Sequence, residues 1–335
     1  MPDADAWRGR RVLVTGHTGF KGAWLALWLN ALGARVQGLS GPRPSDPTLY
    51  DQARVSELCD DEVHADVRDG DATRAAVERF QPEVVFHMAA QAIVRRSLVD
   101  PVETWATNVV GTANLLQALP PSVEAVVVVT SDKCYRDIET GRAQTESDPL
   151  GGKDPYSASK AAQELVARAH RDTFGGPIAT ARAGNVIGGG DWAADRLIPD
   201  IIRAGGEPVV LRNPDAVRPW QHVLNPLSGY LVLAEHLLAG EDVAEAFNFG
   251  PPADDALTVR EVVDRLGTPY RIEPDPDAGK ESVLLRLDST KARERLGWTP
   301  GWDLETGLHA TAEWYAADND PRERTLRQIG RFGST

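Results

Sequence analysis

Short apolar runs and stretches of helical period alternate through the first half of the chain. Arg11-Val12-Leu13-Val14-Thr15 is a compact β-branched run, and residues 23–29 follow it as an apolar stretch that predicts a buried helix. Runs at Arg35–Ser40, 62–69, 84–88 and Ala125–Val129 have strand length, and helical stretches at 72–80 and 108–116 lie between them. Strand and helix in alternation up to about residue 180 predict an α/β fold with a doubly wound, mostly parallel sheet. No repeat of solenoid period is present. Beyond residue 181 the texture changes: 182–192 and 218–223 are glycine-rich or polar and full of hydrogen-bond donors. Residues 257–317 carry two or three amphipathic helices and a strand-like run at 282–287. The expected division is 8–181 for a dinucleotide-binding domain and 182–317 mainly for a smaller substrate-binding domain, part of which can return to the sheet. Residues 318–335 are expected to form a polar, partly disordered tail.

Gly16-His17-Thr18-Gly19-Phe20-Lys21-Gly22 sits between the first strand and the first helix. Strand, glycine turn and helix are the setting in which such a motif binds a dinucleotide: tight turning, close backbone approach and a helix N-terminus for the pyrophosphate. An ordinary βα turn is the competing explanation. The second strand ends in Ser40-Gly41-Pro42-Arg43 rather than in the usual acid. Arg43 either meets a 2′-phosphate, which would make the cofactor NADP, or faces solvent. Asp66, at the exit of the third strand, is placed to accept from an adenine amino group or to cap the helix at 72–80, a role open also to Asp69 and Asp71. The fourth strand runs into Ala89-Ala90-Gln91, small enough for a cofactor to pass, with Gln91 and Arg95 expected to face the cleft.

The fifth strand ends in Thr130-Ser131-Asp132-Lys133-Cys134-Tyr135. Open α/β sheets bind ligands at the carboxyl ends of their strands. Burying an aspartate beside a lysine is costly unless they serve each other or a substrate, so this is either a structural ion pair or an acid-base pair. Downstream, Tyr156 and Lys160 stand four residues apart at the start of a helix and share one face. A free tyrosine titrates near ~10, and an ammonium beside it favours the phenolate. Such a pair can take the proton of an alcohol as hydride leaves the same carbon; an exposed tyrosine and an ordinary surface lysine is the plainer alternative. Arg182, Arg196, Arg212 and Arg218 suit bidentate binding of a ligand phosphate, though at least one of them is expected to pair with a protein acid instead.

The chain has 335 residues (36.3 kDa), 42% of them hydrophobic and 25% charged, enough for a large core. A net charge of −13 and a pI near 5.0 speak against nucleic-acid and anionic-membrane partners. Cys59 and Cys134 have neither metal-type nor disulfide-framework spacing, and the apolar runs are too short for a membrane span. The expected setting is the cytoplasm.

With Gly16-x-x-Gly19-x-x-Gly22, Tyr156-x-x-x-Lys160 and Ser131, the chain resembles the extended short-chain dehydrogenase/reductases. Residues 17–22, 130–135, 182–192 and 218–223 are similar to those of the CDP-glucose 4,6-dehydratase family, in a match running over about 10–317. Ser131-Asp132-Lys133 is the discriminating triplet, because most nucleotide-sugar 4,6-dehydratases carry Asp-Glu there. The resemblance implies a Rossmann-like fold, NAD as cofactor and CDP-glucose as substrate. Tyr156, its pKa lowered by Lys160, would take the 4-hydroxyl proton as hydride moves from C4 to NAD. An uncharged Lys133 would remove the C5 proton, a protonated Asp132 would protonate the departing 6-hydroxyl, and Ser131 would hydrogen-bond the 4-oxygen. Desolvation shifts an aspartate up and a lysine down, the directions these roles need.

Residues and resemblance together give the expected site. Cofactor contacts fall to Gly16, Thr18, Gly19, Phe20, Lys21, Gly22, Ser40, Asp66 and Val67, and to Ala89, Ala90, Gln91, Asn108, Thr130, Tyr156 and Lys160. Substrate contacts fall to Gln91, Arg95, Asn185, Arg196, Leu197, Arg212, Arg218 and His222, and no metal is expected. The resemblance also implies a homodimer built from the helices after residues 103 and 156. The chain departs from the family at Lys280-Glu281-Ser282, where His-Glu-Ala is common, and at Asn225, where glutamate is usual. The segment between 266 and 286 is also shorter than usual. All three departures lie in the part expected to hold the nucleotide. The rivals are a dehydratase or epimerase for UDP-, GDP- or dTDP-sugars, and a non-catalytic NAD-binding scaffold. A simple 4-epimerase needs no acid-base pair for C5 and C6, so Asp132-Lys133 argues against it.

Overall fold

The apolar runs become strands buried on both faces, because helices cover each side of the sheet they form. In the computed structural model, which describes residues 1–136, 141–252, 256–273 and 285–334, these are β1 (Arg11–Thr15), β2 (Arg35–Ser40), β3 (Asp61–His64), β4 (Val84–His87), β5 (Ala125–Val129) and β6 (Ile178–Arg182). Shorter strands follow: β7 (Val186–Ile187), β8 (Val209–Leu211), β9 (Val217–Pro219), β10 (Gln221–His222), β11 (Ala246–Asn248), β12 (Ala256–Thr258) and β13 (Tyr270–Ile272). The main sheet has seven parallel strands in the order β11-β6-β5-β4-β1-β2-β3. Strand order reverses between β1 and β4, and an open α/β sheet offers its ligand crevice beyond the carboxyl ends of the strands at such a point.

Side chains alternate across the strands. Ala125, Val127 and Val129 pack with Trp24, Leu25, Trp28 and the helix Leu224–Leu238 on one face, while Val126 and Val128 pack with Leu115, Leu116 and Ala167 on the other. β11 pairs with β6, and Leu224–Leu238 packs on β5, so part of the chain after residue 182 does return to the sheet. The remaining short strands form three small pairs, β7 with β10, β8 with β13 and β9 with β12. Among the described residues between 257 and 317 there are three helices: Val259–Arg265, Thr290–Leu296 and Leu304–Ala316. Of the strand-like run expected at 282–287, residues 282–284 lie outside the described residues, and Leu287 forms one bridge with Gln144.

The tail differs from expectation. Pro321–Phe332 is a helix capped by Asp320, with Thr325, Gln328, Ile329 and Phe332 buried. Its polar composition hid a helical period: Thr325 accepts from the Trp314 indole at 2.9 Å, and Gln328 donates to the Ala310 carbonyl at 2.7 Å. Among the described residues, no helix is long and apolar enough to cross a membrane.

Of the four arginines weighed for a ligand phosphate, Arg182 is one that pairs with a protein acid instead. It is buried in an ion pair with Glu164 of the helix Pro155–Phe174, at 2.7 Å, and donates to the Tyr135 hydroxyl at 2.8 Å. Glu164 accepts as well from the hydroxyls of Thr130 (2.5 Å) and Thr180 (2.6 Å), so the carboxylate is saturated by β5, β6 and the arginine. Removing one partner of such a pair strands a buried charge. Arg182→Met is expected to lower stability by about 3 kcal/mol or more in urea unfolding, and adding Glu164→Gln to it should recover most of the loss.

Candidate active site

Gly16 leaves β1 with φ +74°, a left-handed conformation that costs glycine little. A Cβ there would stand 2.8 Å from the Ala89 amide nitrogen, and one on Gly22 would stand 2.1 Å from the Gly16 carbonyl oxygen. The turn therefore closes on the β4 exit and on the helix Phe20–Ala31, whose N-cap is Gly19. Free amides at a helix start, with Ala89 and Ala90 alongside, form a cradle that side chains would fill, and these residues fit a dinucleotide pyrophosphate. Ser40 shapes this turn from β2: its hydroxyl accepts from the Thr18 amide at 3.3 Å and pairs with His17 Nδ1 at 3.0 Å. Burial holds His17 below the ordinary imidazole range, against the pull of Glu62.

Arg43 pairs with both carboxylate oxygens of Asp51, each at 2.8 Å, and lies over the Tyr50 ring. Asp66 accepts from the backbone and guanidinium of Arg68, both at 2.9 Å, and the helix Gly70–Phe80 is capped by Asp69. Val67 is buried against Gly111.

At the carboxyl end of β5 the chain makes a single tight turn, Asp132–Cys134, capped by Ser131. The Ser131 hydroxyl accepts from the Lys133 amide at 3.2 Å, donates to Asp132 Oδ1 at 2.9 Å and lies near enough to the Tyr156 phenol to act on it. Asp132 Oδ2 is buried with no hydrogen-bond partner. It lies against Gly184, where a Cβ would stand 2.2 Å away. Burial pushes the Asp132 carboxyl up, toward its neutral form, and Lys133, Ser131 and Arg218 oppose that shift. An unpartnered oxygen on a carboxyl held toward neutrality is suited to donating a proton to a ligand oxygen.

Tyr156 and Lys160 open the helix Pro155–Phe174, which Asp154 caps by accepting from the Ser157 amide at 2.9 Å. The expected depression of the phenol by Lys160 is not found. Burial dominates and pushes Tyr156 up to about 12, with Ser131 pulling the other way. Burial also pulls Lys160 down to about 8. The desolvation that strengthens charge interactions here penalises both ions first. Lys160 spends its donors on Gln163 Oε1 at 2.8 Å and the Val129 carbonyl at 3.3 Å. Lys21 stands with this group too: it donates to Tyr230 at 2.8 Å, and burial, with the charges of Lys160 and Arg196, pulls it down to about 7.

Several other expected residues are placed differently. Gln91 is buried, its amide donating to Thr104 and Ile93 and accepting from the Ile93 amide, so it shapes the β4 exit loop instead of presenting its amide to the cleft. Asn108 stitches that loop to the helix Pro155–Phe174, accepting from the Gln91 amide at 2.8 Å and donating to Ser159 at 2.8 Å. It lies in the π-turn Ala106–Val110, an irregularity of the kind found at functional sites. Thr130 is engaged with Glu164 beneath the site.

His222 is a core residue, enclosed by Trp24 and Trp302 and held by burial at about 3. Its polarity in the sequence gave no hint of that aromatic shell. Asn225 likewise clamps the backbone of Trp302 (2.8 and 3.1 Å), so this departure from the family is a packing substitution. Lys280-Glu281-Ser282 lies outside the described residues. Arg95 and Arg212 converge on Asp195, at 3.8 and 3.1 Å, and Arg196 pairs with Asp191 at 3.2 Å. Arg218 is buried on β9, where its charge acts on Asp132. Asn185 is half-buried before β7, and its backbone carbonyl accepts from the Gln221 amide. Leu197, also half-buried, opens the helix Leu197–Ala204. Gly184, Tyr230 and Gln163 were not anticipated as parts of the site.

A doubly wound parallel sheet with this glycine turn, a strand-end serine and a Tyr-x-x-x-Lys helix defines a short-chain dehydrogenase/reductase. A family model described as GDP-mannose 4,6 dehydratase matches residues 13–311, and the chain belongs to that family. It is 45% identical to a CDP-glucose 4,6-dehydratase from Salmonella typhimurium over 95% of this chain and 93% of that one. It is 29% identical to a UDP-glucose 4-epimerase of Mycolicibacterium smegmatis over 91% of this chain and 98% of that one. Among solved structures, it is similar to the dTDP-glucose 4,6-dehydratase DesIV from Streptomyces venezuelae, determined with NAD and TYD bound (TM-score 0.78, 30% identity, 91% of this chain and 96% of that one).

The space at Gly184 generates a prediction. Gly184→Ala places a methyl group where the Asp132 carboxyl now lies, and its turnover is expected to fall about a hundredfold. Far-ultraviolet circular dichroism should stay unchanged.

Proposed function

We propose that this chain is an NAD-dependent CDP-glucose 4,6-dehydratase, a hydro-lyase giving CDP-4-dehydro-6-deoxyglucose. The observation that carries the reading is Asp132, a buried carboxyl with one unpartnered oxygen, on the same tight turn as Lys133 and bonded to Ser131, which acts on Tyr156. A 4-epimerase has no step that needs such an acid. The 45% identity to the Salmonella typhimurium enzyme supports CDP-glucose as the substrate.

The glycine turn, Ala89, Ala90 and Lys160 would hold the cofactor, and the engagement of Arg43 by Asp51 favours NAD over NADP. When bound, NAD supplies the acceptor and later the donor of the hydrogen that moves from C4 to C6. Tyr156 takes the proton of the 4-hydroxyl, and Ser131 steadies the oxygen that becomes a ketone. That ketone acidifies the C5 hydrogen, which Lys133 removes as a proton. Asp132 gives its proton to the 6-hydroxyl, which leaves as water. Lys133 then returns a proton to C5, and the proton taken up by Tyr156 is released to solvent as Asp132 is reprotonated, so the sugar loses one water with no net redox change. Residues 8–181 carry the cofactor side, and much of 182–317 the nucleotide-sugar side. There Arg95, Arg196, Arg212 and Arg218 supply positive charge for the diphosphate.

We also infer a cytoplasmic homodimer. Val99, Val102, Trp105 and Val110 are exposed on or just before the helical segment 101–118, and Leu165 is exposed on Pro155–Phe174, which suits helix pairing with a second copy. The net charge of −13 gives no support for a nucleic-acid or anionic-membrane partner, and Cys59 and Cys134 are free thiols.

Mass spectrometry of purified protein given NAD and, separately, CDP-, UDP-, GDP- and dTDP-glucose tests the reaction. Loss of one water from CDP-glucose alone is expected. The same loss from another sugar nucleotide would keep the chemistry and move the specificity, and no loss from any would overturn the reading. In deuterium oxide, Lys133→Met should abolish deuterium uptake at C5 and lower turnover by about a hundredfold or more, whereas Asp132→Asn should slow water loss and leave C5 exchange intact. Light scattering should give twice the chain mass, and Val102→Glu should give a monomer.

A further inference from the structure

The hydrogen bonds behind Lys160 can run in only one direction. Its ammonium donates to Gln163 Oε1 at 2.8 Å, which fixes the amide, so that Gln163 Nε2 donates to Thr112 Oγ1 at 2.9 Å. The Thr112 proton goes to the Asn108 carbonyl at 2.7 Å, leaving its oxygen to accept from His87 Nε2 at 2.9 Å. His87 Nδ1 must then accept, and it does so from the Thr15 hydroxyl at 2.7 Å. Thr15 in turn accepts from the amides of Met88 and Ala89, both at 3.1 Å. Thr15, His87, Thr112 and Gln163 are wholly buried. Burial holds His87 at about 3, so it is neutral, with its proton on Nε2.

We propose that Gln163 is a positioning residue for Lys160: its amide oxygen, oriented through Thr112, His87 and Thr15, holds the ammonium without cancelling its charge and ties it to the turn at Ala89. This rests on Tyr156 and Lys160 being the proton-transfer pair. A carboxylate at 163 would neutralise the ammonium, and an apolar side chain would leave it short of an acceptor. The other ionisable groups acting on Lys160 are Glu164 on its own helix, Cys134 from the turn after β5, His87 from β4 and Lys21 from Phe20–Ala31. Glu164 is committed to Arg182, His87 is neutral, and burial pushes the Cys134 thiol up. Lys21 repels the ammonium. Gln163 is thus an acceptor that leaves the charge in play.

Gln163→Met keeps the length and removes the acceptor; Gln163→Glu keeps the length and adds charge. An NMR titration of the lysine ε-methylene carbons in cofactor-free protein, with Lys160 assigned through Lys160→Arg, reads its midpoint directly. The midpoint is expected below wild type in Gln163→Met and above it in Gln163→Glu. In the loaded enzyme the alkaline limb of kcat should move the same two ways, with kcat of Gln163→Met down about tenfold at neutral pH and KM within about twofold. Lost packing would impair both variants alike and could not displace the midpoint in opposite directions. Midpoints that stay put, or move together, overturn the proposal. Should Gln163→Met fail to fold, a raised midpoint in Gln163→Glu supports it and an unchanged one overturns it. Absence of wild-type turnover would count against the dehydratase reading, and the titration would still judge Gln163.

Discussion

Desolvation at the carboxyl ends of β4 and β5 is the constraint on which this site depends. Each polar group placed there must find a partner in the protein or in a ligand, because water is excluded. Most find one in the protein: Glu164 takes Arg182 and two threonines, His87 is held between Thr15 and Thr112, and Lys160 is held by Gln163 and the Val129 carbonyl. Asp132 Oδ2 does not. Glu164 and His87 are scaffold, whereas the unpartnered oxygen of Asp132, at the end of β5, points to chemistry.

The same force sets protonation. Burial raises Asp132 and Tyr156 and lowers Lys160 and Lys21, so each is drawn toward its neutral form. For an acid that must carry a proton this drift is useful, whereas Lys160 has to keep its charge in spite of it. For the phenol it is adverse, and the cationic groups around Tyr156 must work against it. A neutral acceptor on Lys160, rather than a carboxylate, keeps that positive charge available.

The parts of the molecule that were legible in the sequence are those whose signals are local. β1, the glycine turn and the helix Phe20–Ala31 follow one another within some twenty residues, and strands buried on both faces read as unbroken apolar runs. Ser131, Asp132 and Lys133 declared themselves as polar residues at the end of such a run, and Tyr156 with Lys160 by helical spacing. The failures share a cause: a polar side chain looks the same in sequence whether a ligand or the protein satisfies it. Gln91, His222 and Asn225 are satisfied or enclosed within the protein, chiefly by partners 13 to 80 residues away, which no local pattern records. Gly184 and Tyr230 matter only through what packs against them, Asp132 and Lys21. The tail helix was hidden because its few buried residues are partly polar.

The central claim is that the fold keeps Asp132 protonated for delivery to a leaving hydroxyl. It is tested most directly by the infrared difference spectrum between the cofactor-free protein and its Asp132→Asn variant at neutral pH. The account predicts the carbonyl stretch of a protonated carboxylic acid, sensitive to deuterium oxide and lost only well above the ordinary carboxylate range. Carboxylate bands alone at neutral pH would contradict it, and would make Asp132 and Lys133 a structural ion pair.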